Sequence, residues 1–195
     1  MTLKSIYTTE KSAKRNEKSA KPCKTLNIGT SNVRSMMKKE KLENVKIEME
    51  RNGLNVLGLG EVRWKDSGDY WSDKYRVIYS GGKKSGERGV AIVLDEETGK
   101  RVKKVVQHSD RVIVVKMEAE PRDIVAVQVY MPTSSSEDEK VDEVYEQRND
   151  IIEAEKGNDY LILMGDWNSV IGEGEQGREV GKYGHGRRLM KEEKN

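Results

Sequence analysis

Five polar side chains in this sequence stand at or just beyond the ends of apolar, strand-like segments. The run from Tyr160 to Met164 is mostly aliphatic and stops at a glycine, after which a carboxylate and a carboxamide follow two residues apart. Such a run, bounded by turn-forming residues, is typical of a buried strand. Because residues i and i+2 of an extended chain point the same way, we expect the two polar groups to converge on one ligand while Trp167 faces elsewhere. The five residues are Asn32, Glu61, Tyr130, Asp166 and Asn168.

These residue types together suit the hydrolysis of a phosphate ester with the help of a metal ion. Glu61 is a hard oxygen ligand for Mg²⁺, with Mn²⁺ as an alternative. Asn32 and Asn168 can bind a phosphate oxygen or complete a metal shell without adding negative charge. Asp166 can orient a water nucleophile or support the metal, and the Tyr130 hydroxyl can donate to a phosphate oxygen. Polar groups just past strand ends are where open α/β sheets build such sites, so the set predicts metal-assisted phosphoester hydrolysis.

Each of these residues also has an ordinary structural interpretation. Asn32 at a strand end can simply satisfy a turn, and Glu61 can form a surface ion pair with Arg63. Tyr130, which precedes Met-Pro, can pack as a half-buried tyrosine. Four apolar segments of one chain each end in a polar residue that suits the same chemistry, and chance accounts poorly for this combination. The functional interpretation depends on the four segments together rather than on any one residue.

The elements that would position these residues begin with a βαβ unit. Residues 26–30 alternate as a short strand, and residues 38–52 form an amphipathic helix with Leu42, Val45 and Met49 at helical spacing. Gly53 is a suitable helix stop, and residues 55–60 are a second buried strand. A strand, a helix and a strand in this order predict two parallel strands.

The middle of the chain is predicted to be antiparallel. Residues 65–87 are loop-like with one short strand at 75–79, and residues 89–94 form another strand. Residues 111–117 and 124–130 form a hairpin around a turn that contains a proline. A capping box at Ser136 and Glu139 opens a helix that runs to about residue 155.

Composition limits the class of protein. The 195 residues suffice for one domain, and 36% charged against 34% hydrophobic residues indicates a small core. The net charge of +2 predicts no partner, and the one cysteine, Cys23, predicts neither an intrachain disulfide nor a disulfide-linked partner. No apolar run approaches the ~18 residues that a membrane helix needs, so we expect an intracellular protein without membrane contact.

The two ends differ from the predicted domain. Residues 1–24 are polar and basic without apolar periodicity, which predicts a disordered tail. Such a tail can attract nucleic acid or direct nuclear import, although a simply solvated tail is the commoner case. Residues 190–195 form a charged tail, and the domain itself is assigned to residues 25–189.

Four segments resemble successive motifs of the endonuclease/exonuclease/phosphatase superfamily. They are Thr-Ser-Asn-Val-Arg-Ser-Met at 30–36, Leu-Gly-Leu-Gly-Glu-Val-Arg-Trp at 57–64, Val-Gln-Val-Tyr-Met-Pro-Thr-Ser at 127–134 and Gly-Asp-Trp-Asn at 165–168. Within that superfamily the sequence most resembles endonuclease domains of RTE-type, LINE-like retrotransposons and the craniofacial development protein 2-like group. The resemblance implies a four-layer α/β sandwich in which two mixed sheets are flanked by helices.

The resemblance also assigns roles. It implies that Glu61 is the main Mg²⁺ ligand with Asn32 nearby, that Tyr130 and Asn168 hold the phosphate, and that Asp166 positions the attacking water. The implied substrate is DNA, nicked in one strand. For the protein itself we expect a nuclear location. The alternatives are a nucleic-acid-binding module without catalysis, and a phosphoesterase of the same fold that acts on a phospholipid, a phosphoinositide or an RNA end.

One departure from the family pattern bears on activity. Relatives continue through further strands to a terminal Ser-Asp-His motif, whose histidine acts with an aspartate as general acid and base. This chain ends at Asn195 without the motif, and neither His108 nor His185 stands in a matching context. We therefore expect a domain that is incomplete at its C-terminal end and nicks DNA weakly or not at all, because loss of a general base typically costs roughly 10²- to 10⁴-fold in rate.

Overall fold

The computed structural model describes residues 5–7, 25–132, 138–154 and 157–168, with side chains for 25–132, 141–154 and 157–168. Residues 8–24, Ser136 of the predicted capping box, the glycine-rich segment with His185, and the predicted tail at 190–195 lie outside the described residues. The strands are β1 (Ser5–Tyr7), β2 (Ile28–Asn32), β3 (Val56–Gly60), β4 (Ser67–Ser72), β5 (Tyr75–Ser80), β6 (Val90–Leu94), β7 (Val102–Gln107), β8 (Val112–Met117), β9 (Ile124–Tyr130) and β10 (Tyr160–Asp166). The helices are α1 (Lys39–Arg51), α2 (Glu96–Lys100) and α3 (Asp138–Ala154).

The strands form two mixed sheets. In the first sheet the order is β1-β2-β3-β6-β5-β4, and in the second it is β10-β9-β8-β7. Each sheet contains one parallel pair, β2 with β3 in the first and β9 with β10 in the second, and its other pairs are antiparallel. The βαβ unit, the antiparallel middle and the β8–β9 hairpin are therefore confirmed.

Alternation along the strands separates the core into layers. Between the sheets, Ile92 and Leu94 of β6 meet Ile113 and Val115 of β8 in one apolar cluster. The side chains between them on β6, such as Val93, face the other way. Because successive residues of a strand point to opposite faces, each central strand supplies both the middle of the sandwich and one outer layer.

The outer faces are covered by helices. On the first sheet, Val45 and Met49 of α1 pack with residues such as Leu57 of β3. On the second sheet, Val144 and Ile151 of α3 pack in a cluster with residues of β8 and β9. The layers therefore run helix, sheet, sheet, helix, which confirms the predicted α/β sandwich with two mixed sheets. No helix in the described part of the chain has the length and apolar character needed to cross a membrane.

Gly58 of β3 makes room for a side chain of the facing sheet. A Cβ on Gly58 would overlap the side chain of Gln128, which is fully buried and accepts a hydrogen bond from the Thr30 hydroxyl at 3.2 Å. A Cβ on Gly60 would lie 3.5 Å from the Tyr130 ring, which is an ordinary contact. The missing side chain at Gly58 thus lets a polar group enter the space between the sheets.

Four elements differ from the sequence predictions. Residues 67–72 form β4 in a hairpin with β5 rather than a loop, and α2 and β7 were not predicted. Both strands are largely exposed, so they lack the apolar alternation by which buried strands are recognised. Ser5–Tyr7 of the basic segment pairs antiparallel with β2, although no structure was expected there.

Candidate active site

The two parallel strand pairs end at the same edge of the sandwich, and the candidate residues stand there. Asn32 is the last residue of β2 and lies opposite Gly60, so Glu61 follows directly. Tyr130 and Asp166 are register partners at the ends of β9 and β10. Asn32 and Asp166 are thus the last residues of their strands rather than residues beyond them, because each strand continues two residues further than predicted.

Asn32 joins the two carboxylates of the site. Its Nδ2 donates to Glu61 Oε1 at 2.7 Å and to Asp166 Oδ2 at 2.8 Å. Its Oδ1 accepts from the backbone N–H of Arg34 at 2.9 Å, which fixes the orientation of the amide. A neutral donor between two carboxylates offsets their repulsion and holds them close together.

Glu61 is held as an anion. Burial alone would raise the pKa of its carboxyl, but hydrogen bonds from Asn32, Arg63 and Tyr130 outweigh burial and lower the pKa below its usual value. Arg63 Nη2 lies 3.2 Å from Glu61 Oε2. The Glu61 side chain is 19% exposed, so it can still reach a ligand at the edge of the sandwich.

Tyr130 is a donor at neutral pH. Burial, and then the charge of Glu61, raise the pKa of its hydroxyl, so the proton remains on the oxygen. The guanidinium of Arg111 lies 5.2 Å from the centre of the Tyr130 ring and donates to the Tyr130 carbonyl at 3.1 Å. Arg111 was not singled out in the sequence. The hairpin register predicts it, because Val112 faces Val129 and the two residues beside this pair are Arg111 and Tyr130.

Asp166 and Asn168 do not continue as one extended strand. Asn168 has a φ of 46°, and its Nδ2 donates to the Met131 carbonyl at 2.6 Å. Its backbone N–H donates to Asp166 Oδ1 at 3.3 Å, so it is connected to the site through Asp166. Trp167 packs against the outer cluster of the second sheet, as expected from its position between the two polar residues.

The donor set fits a hard divalent cation. Mg²⁺ in proteins is usually held by one or two carboxylates with several waters. Glu61 and Asp166 supply two carboxylates beside one amide, and Glu61 is ionised. Among the described residues no group of three or more His, Cys, Asp and Glu side chains gathers for a metal, so the all-protein cage typical of structural sites is not present there. His108 lies in the loop between β7 and β8, as predicted.

The two loops that carry Asn32 and Glu61 are tied to each other. Val33 N–H donates to the Gly60 carbonyl at 3.0 Å, and Met36 N–H donates to the Val62 carbonyl at 2.8 Å. Glu61 has a φ of 57°, a left-handed conformation that places its side chain back toward Asn32. Non-glycine residues in this region are uncommon and concentrate at functional sites.

Comparisons with known proteins agree with this architecture. No family model matches the sequence. The chain is 34% identical over 159 residues to craniofacial development protein 2 of Bos taurus and 32% identical over 159 residues to that of Tragulus javanicus. These matches cover 82% of this chain but 27% and 28% of the relatives, so the chain spans about a quarter of their length.

Solved structures identify the fold. An AP endonuclease from Archaeoglobus fulgidus superposes with a TM-score of 0.56 at 21% identity, over 74% of this chain and 58% of that one. The chain has the endonuclease/exonuclease/phosphatase fold. The 3′ phosphatase NExo from Neisseria, bound to a product DNA hairpin, gives 0.55 at 20% identity over 72% and 57% of the two chains. The endonuclease domain of TRAS1, a telomere-specific non-LTR retrotransposon, gives 0.50 at 20% identity over 73% and 58%.

Proposed function

We propose that this chain is a divalent-metal-dependent phosphodiesterase domain that cleaves one strand of DNA. The observation that carries the proposal is the pair of carboxylates, Glu61 and Asp166, held on one amide nitrogen of Asn32. The two carboxylates share a neutral amide at the edge of the sandwich where both parallel strand pairs end, and Arg63 pairs with Glu61 at 3.2 Å.

Each residue has a role in this proposal. Glu61 and Asp166 hold Mg²⁺ or Mn²⁺, with Asn32 orienting both carboxylates. A bound cation would neutralise charge on the phosphate and lower the pKa of a bound water. Tyr130 donates its hydroxyl proton to a phosphate oxygen, and Asp166 also directs the attacking water. Asn168 contacts the phosphate in this assignment through the second hydrogen of Nδ2, because the first is donated to the Met131 carbonyl.

DNA is the substrate that the surroundings of the site favour. Arg34 is exposed next to Asn32, and Lys38 and Lys39 follow at the start of α1. Lys83 and Lys84 are exposed on a loop that contacts Met37 through Ser85, 3.5 Å from its sulfur. A polyanion gains from such clustered cations by counterion release. NExo, described as bound to a DNA hairpin, and the retrotransposon endonuclease domain have the same fold, and a nuclear location would follow from this substrate.

A plasmid-nicking assay tests the proposal. Supercoiled plasmid should be nicked slowly in Mg²⁺ or Mn²⁺ and remain supercoiled in EDTA. Glu61→Gln and Asp166→Asn keep shape and remove charge, and each should abolish nicking and weaken Mn²⁺ binding measured by calorimetry. Asp159→Asn is the matched control, since Asp159 precedes the opposite end of β10 and pairs with Lys116 at 2.6 Å. Nicking that survives Glu61→Gln would refute the proposed site.

A second candidate function is nucleic-acid binding without catalysis. The exposed lysines favour it, because among the described residues neither Lys83 nor Lys84 forms an ion pair. DNA binding that falls steeply with salt, together with no nicking at any metal concentration, would favour this candidate. The third candidate, a phosphoesterase for a phospholipid, a phosphoinositide or an RNA end, predicts release of phosphate from small esters and an unchanged plasmid.

A further inference from the structure

A groove of about 490 Å³ lies beside the candidate active site, between the start of α1 and the β4–β5 hairpin. The residues used below are Met37, Lys38, Lys39, Trp64, Tyr70 and Tyr79, which line it. We call it the aromatic groove. Trp64 follows Glu61 by three residues, and its Nε1 donates to the Met36 carbonyl at 2.8 Å. Part of the groove wall is therefore formed by the loops that follow Asn32 and Glu61.

The groove presents aromatic rings to solvent. Tyr79 makes edge-to-face contacts with Trp64 at 4.9 Å and with Tyr70 at 6.3 Å between ring centres. Tyr70 is 39% exposed and Met37 is 53% exposed. Tyr79 thus joins Trp64 to Tyr70, and Tyr70 remains 39% exposed. Flat apolar surfaces of this kind bind nucleobases by stacking, with little preference for sequence.

The charge around the groove favours an anion. Lys38 and Lys39 lie on its rim, and in the described part of the chain neither forms an ion pair. The acidic residue of the lining, Glu43, is engaged with Lys46 at 2.8 Å. Aromatic rings beside free ammonium groups match a base and its phosphate. The volume lies in the range of small-ligand pockets and is far too small for a duplex.

We propose that the aromatic groove binds one unpaired nucleotide of the DNA strand that enters the active site. Its base stacks on Tyr70 beside Trp64 and Tyr79, and its phosphate contacts Lys38 and Lys39. This inference rests on the proposed function and adds a substrate preference to it: DNA with an unpaired nucleotide next to the cleaved bond is bound more tightly than uninterrupted duplex.

Fluorescence anisotropy in EDTA tests the groove without catalysis. The probes are a short labelled DNA single strand, the same strand in a blunt duplex, and an RNA strand of the same sequence. Removal of one stacking ring by alanine substitution should weaken single-strand binding by about 5-fold or more. Tyr70→Ala should show this effect and leave blunt-duplex binding unchanged. Tyr145→Ala is the matched control, because Tyr145 is 41% exposed on α3 and is not one of the residues that line the groove.

A second variant keeps the test independent of Tyr70. Lys38→Ala combined with Lys39→Ala should weaken single-strand binding and lower the slope of its salt dependence by about 0.7 for each lysine that no longer binds a phosphate. Any one of three results would overturn the proposal. Tyr70→Ala and Tyr145→Ala could weaken binding equally, Tyr70→Ala could weaken duplex and single-strand binding equally, or the RNA strand could bind more tightly than the DNA strand. If nicking requires Glu61 but single-strand binding is unaffected by Tyr70→Ala, the groove proposal is refuted and the proposed function stands. If binding requires Tyr70 but no DNA is nicked, the proposed function is refuted and the groove proposal stands.

Discussion

Two glycines offer a paired test of how the site is built. Gly60 precedes Glu61 at the end of β3, and Gly165 precedes Asp166 at the end of β10. A Cβ on Gly60 would lie 3.5 Å from the Tyr130 ring, which is an ordinary contact. A Cβ on Gly165 would overlap the backbone carbonyl oxygen of Val129 on the neighbouring strand. Replacement of glycine by alanine is therefore expected to destabilise the protein at position 165 but not at position 60, although both residues precede a site carboxylate.

The magnitude follows from what can move. A side chain can rotate away from an added methyl group, but a strand carbonyl cannot, so Gly165→Ala must push β10 away from β9. Overpacking costs typically 1–3 kcal/mol, so about 2 kcal/mol is expected here. Weakening the Met131 N–H to Asp166 carbonyl bond, 2.9 Å long, adds up to about 1 kcal/mol. Gly165→Ala should thus lower stability by about 2–3 kcal/mol, or Tm by roughly 4–12 °C for a chain of this size.

Gly60→Ala should be slightly stabilising. The conformation of Gly60 is outside the left-handed region, so alanine adopts it without strain. Reduced freedom of the unfolded chain then stabilises the variant by about 0.4–1 kcal/mol. Thermal unfolding followed by circular dichroism measures both variants, and plasmid nicking should be lost in Gly165→Ala only. Equal destabilisation of the two variants, or a larger loss in Gly60→Ala, would refute the reasoning.

Two further predictions concern a helix cap and a pH dependence. Asp95 accepts from the Thr98 N–H at 2.8 Å as the N-cap of α2, so Asp95→Ala should cost about 1–2 kcal/mol in urea unfolding, and a loss below a few tenths would contradict the cap. Burial raises the pKa of Glu61, whereas bonds from Asn32 and Arg63 lower it, so Arg63→Gln should raise this pKa. A carboxyl whose pKa is lowered by folding contributes its full stabilisation at pH values above its pKa in the unfolded chain. That stabilisation is lost as pH falls through its pKa in the folded protein. When pH is lowered, Mn²⁺ affinity should therefore begin to fall at a higher pH in Arg63→Gln than in wild type. An unchanged dependence of Mn²⁺ affinity on pH would contradict the assignment.

The sequence predicts the central strands well because they are buried on both faces. It predicts the helix α1 well because one apolar stripe of that helix is buried. The burial of β3 and β6 is continuous, and their sequences are correspondingly apolar. The edge elements are harder to predict. The residues of β4 are mostly exposed, and its place in the sheet is set by pairing with β5 rather than by its own pattern. Pairing of this kind depends on residues elsewhere in the chain.

The candidate site is predictable to the level of strand ends but not of side-chain direction. The parallel pairing of β2 with β3 and β9 with β10 follows from apolar patterns and connection order, and it places Asn32, Glu61, Tyr130 and Asp166 at one edge. The hydrogen bonds from Asn32 to Glu61 and Asp166 cannot be predicted in this way, because they depend on how the two sheets pack against each other. Asn168 departs from the extended-chain expectation for a local reason, since its positive φ turns the amide toward Met131.

The positive φ values around the site explain why its geometry is hidden in the sequence. Arg34, Glu61 and Arg63 have φ values of 53°, 57° and 61°, which side chains of their types rarely adopt. Such conformations cost of order 1–3 kcal/mol each and persist only where surrounding contacts determine them. Here the contacts are backbone hydrogen bonds between loops, including Gly86 N–H to the Arg63 carbonyl at 3.0 Å. The loop at residues 81–88 therefore helps to orient Glu61 although it contributes no site residue, and the direction of the Glu61 carboxylate is a property of three loops together.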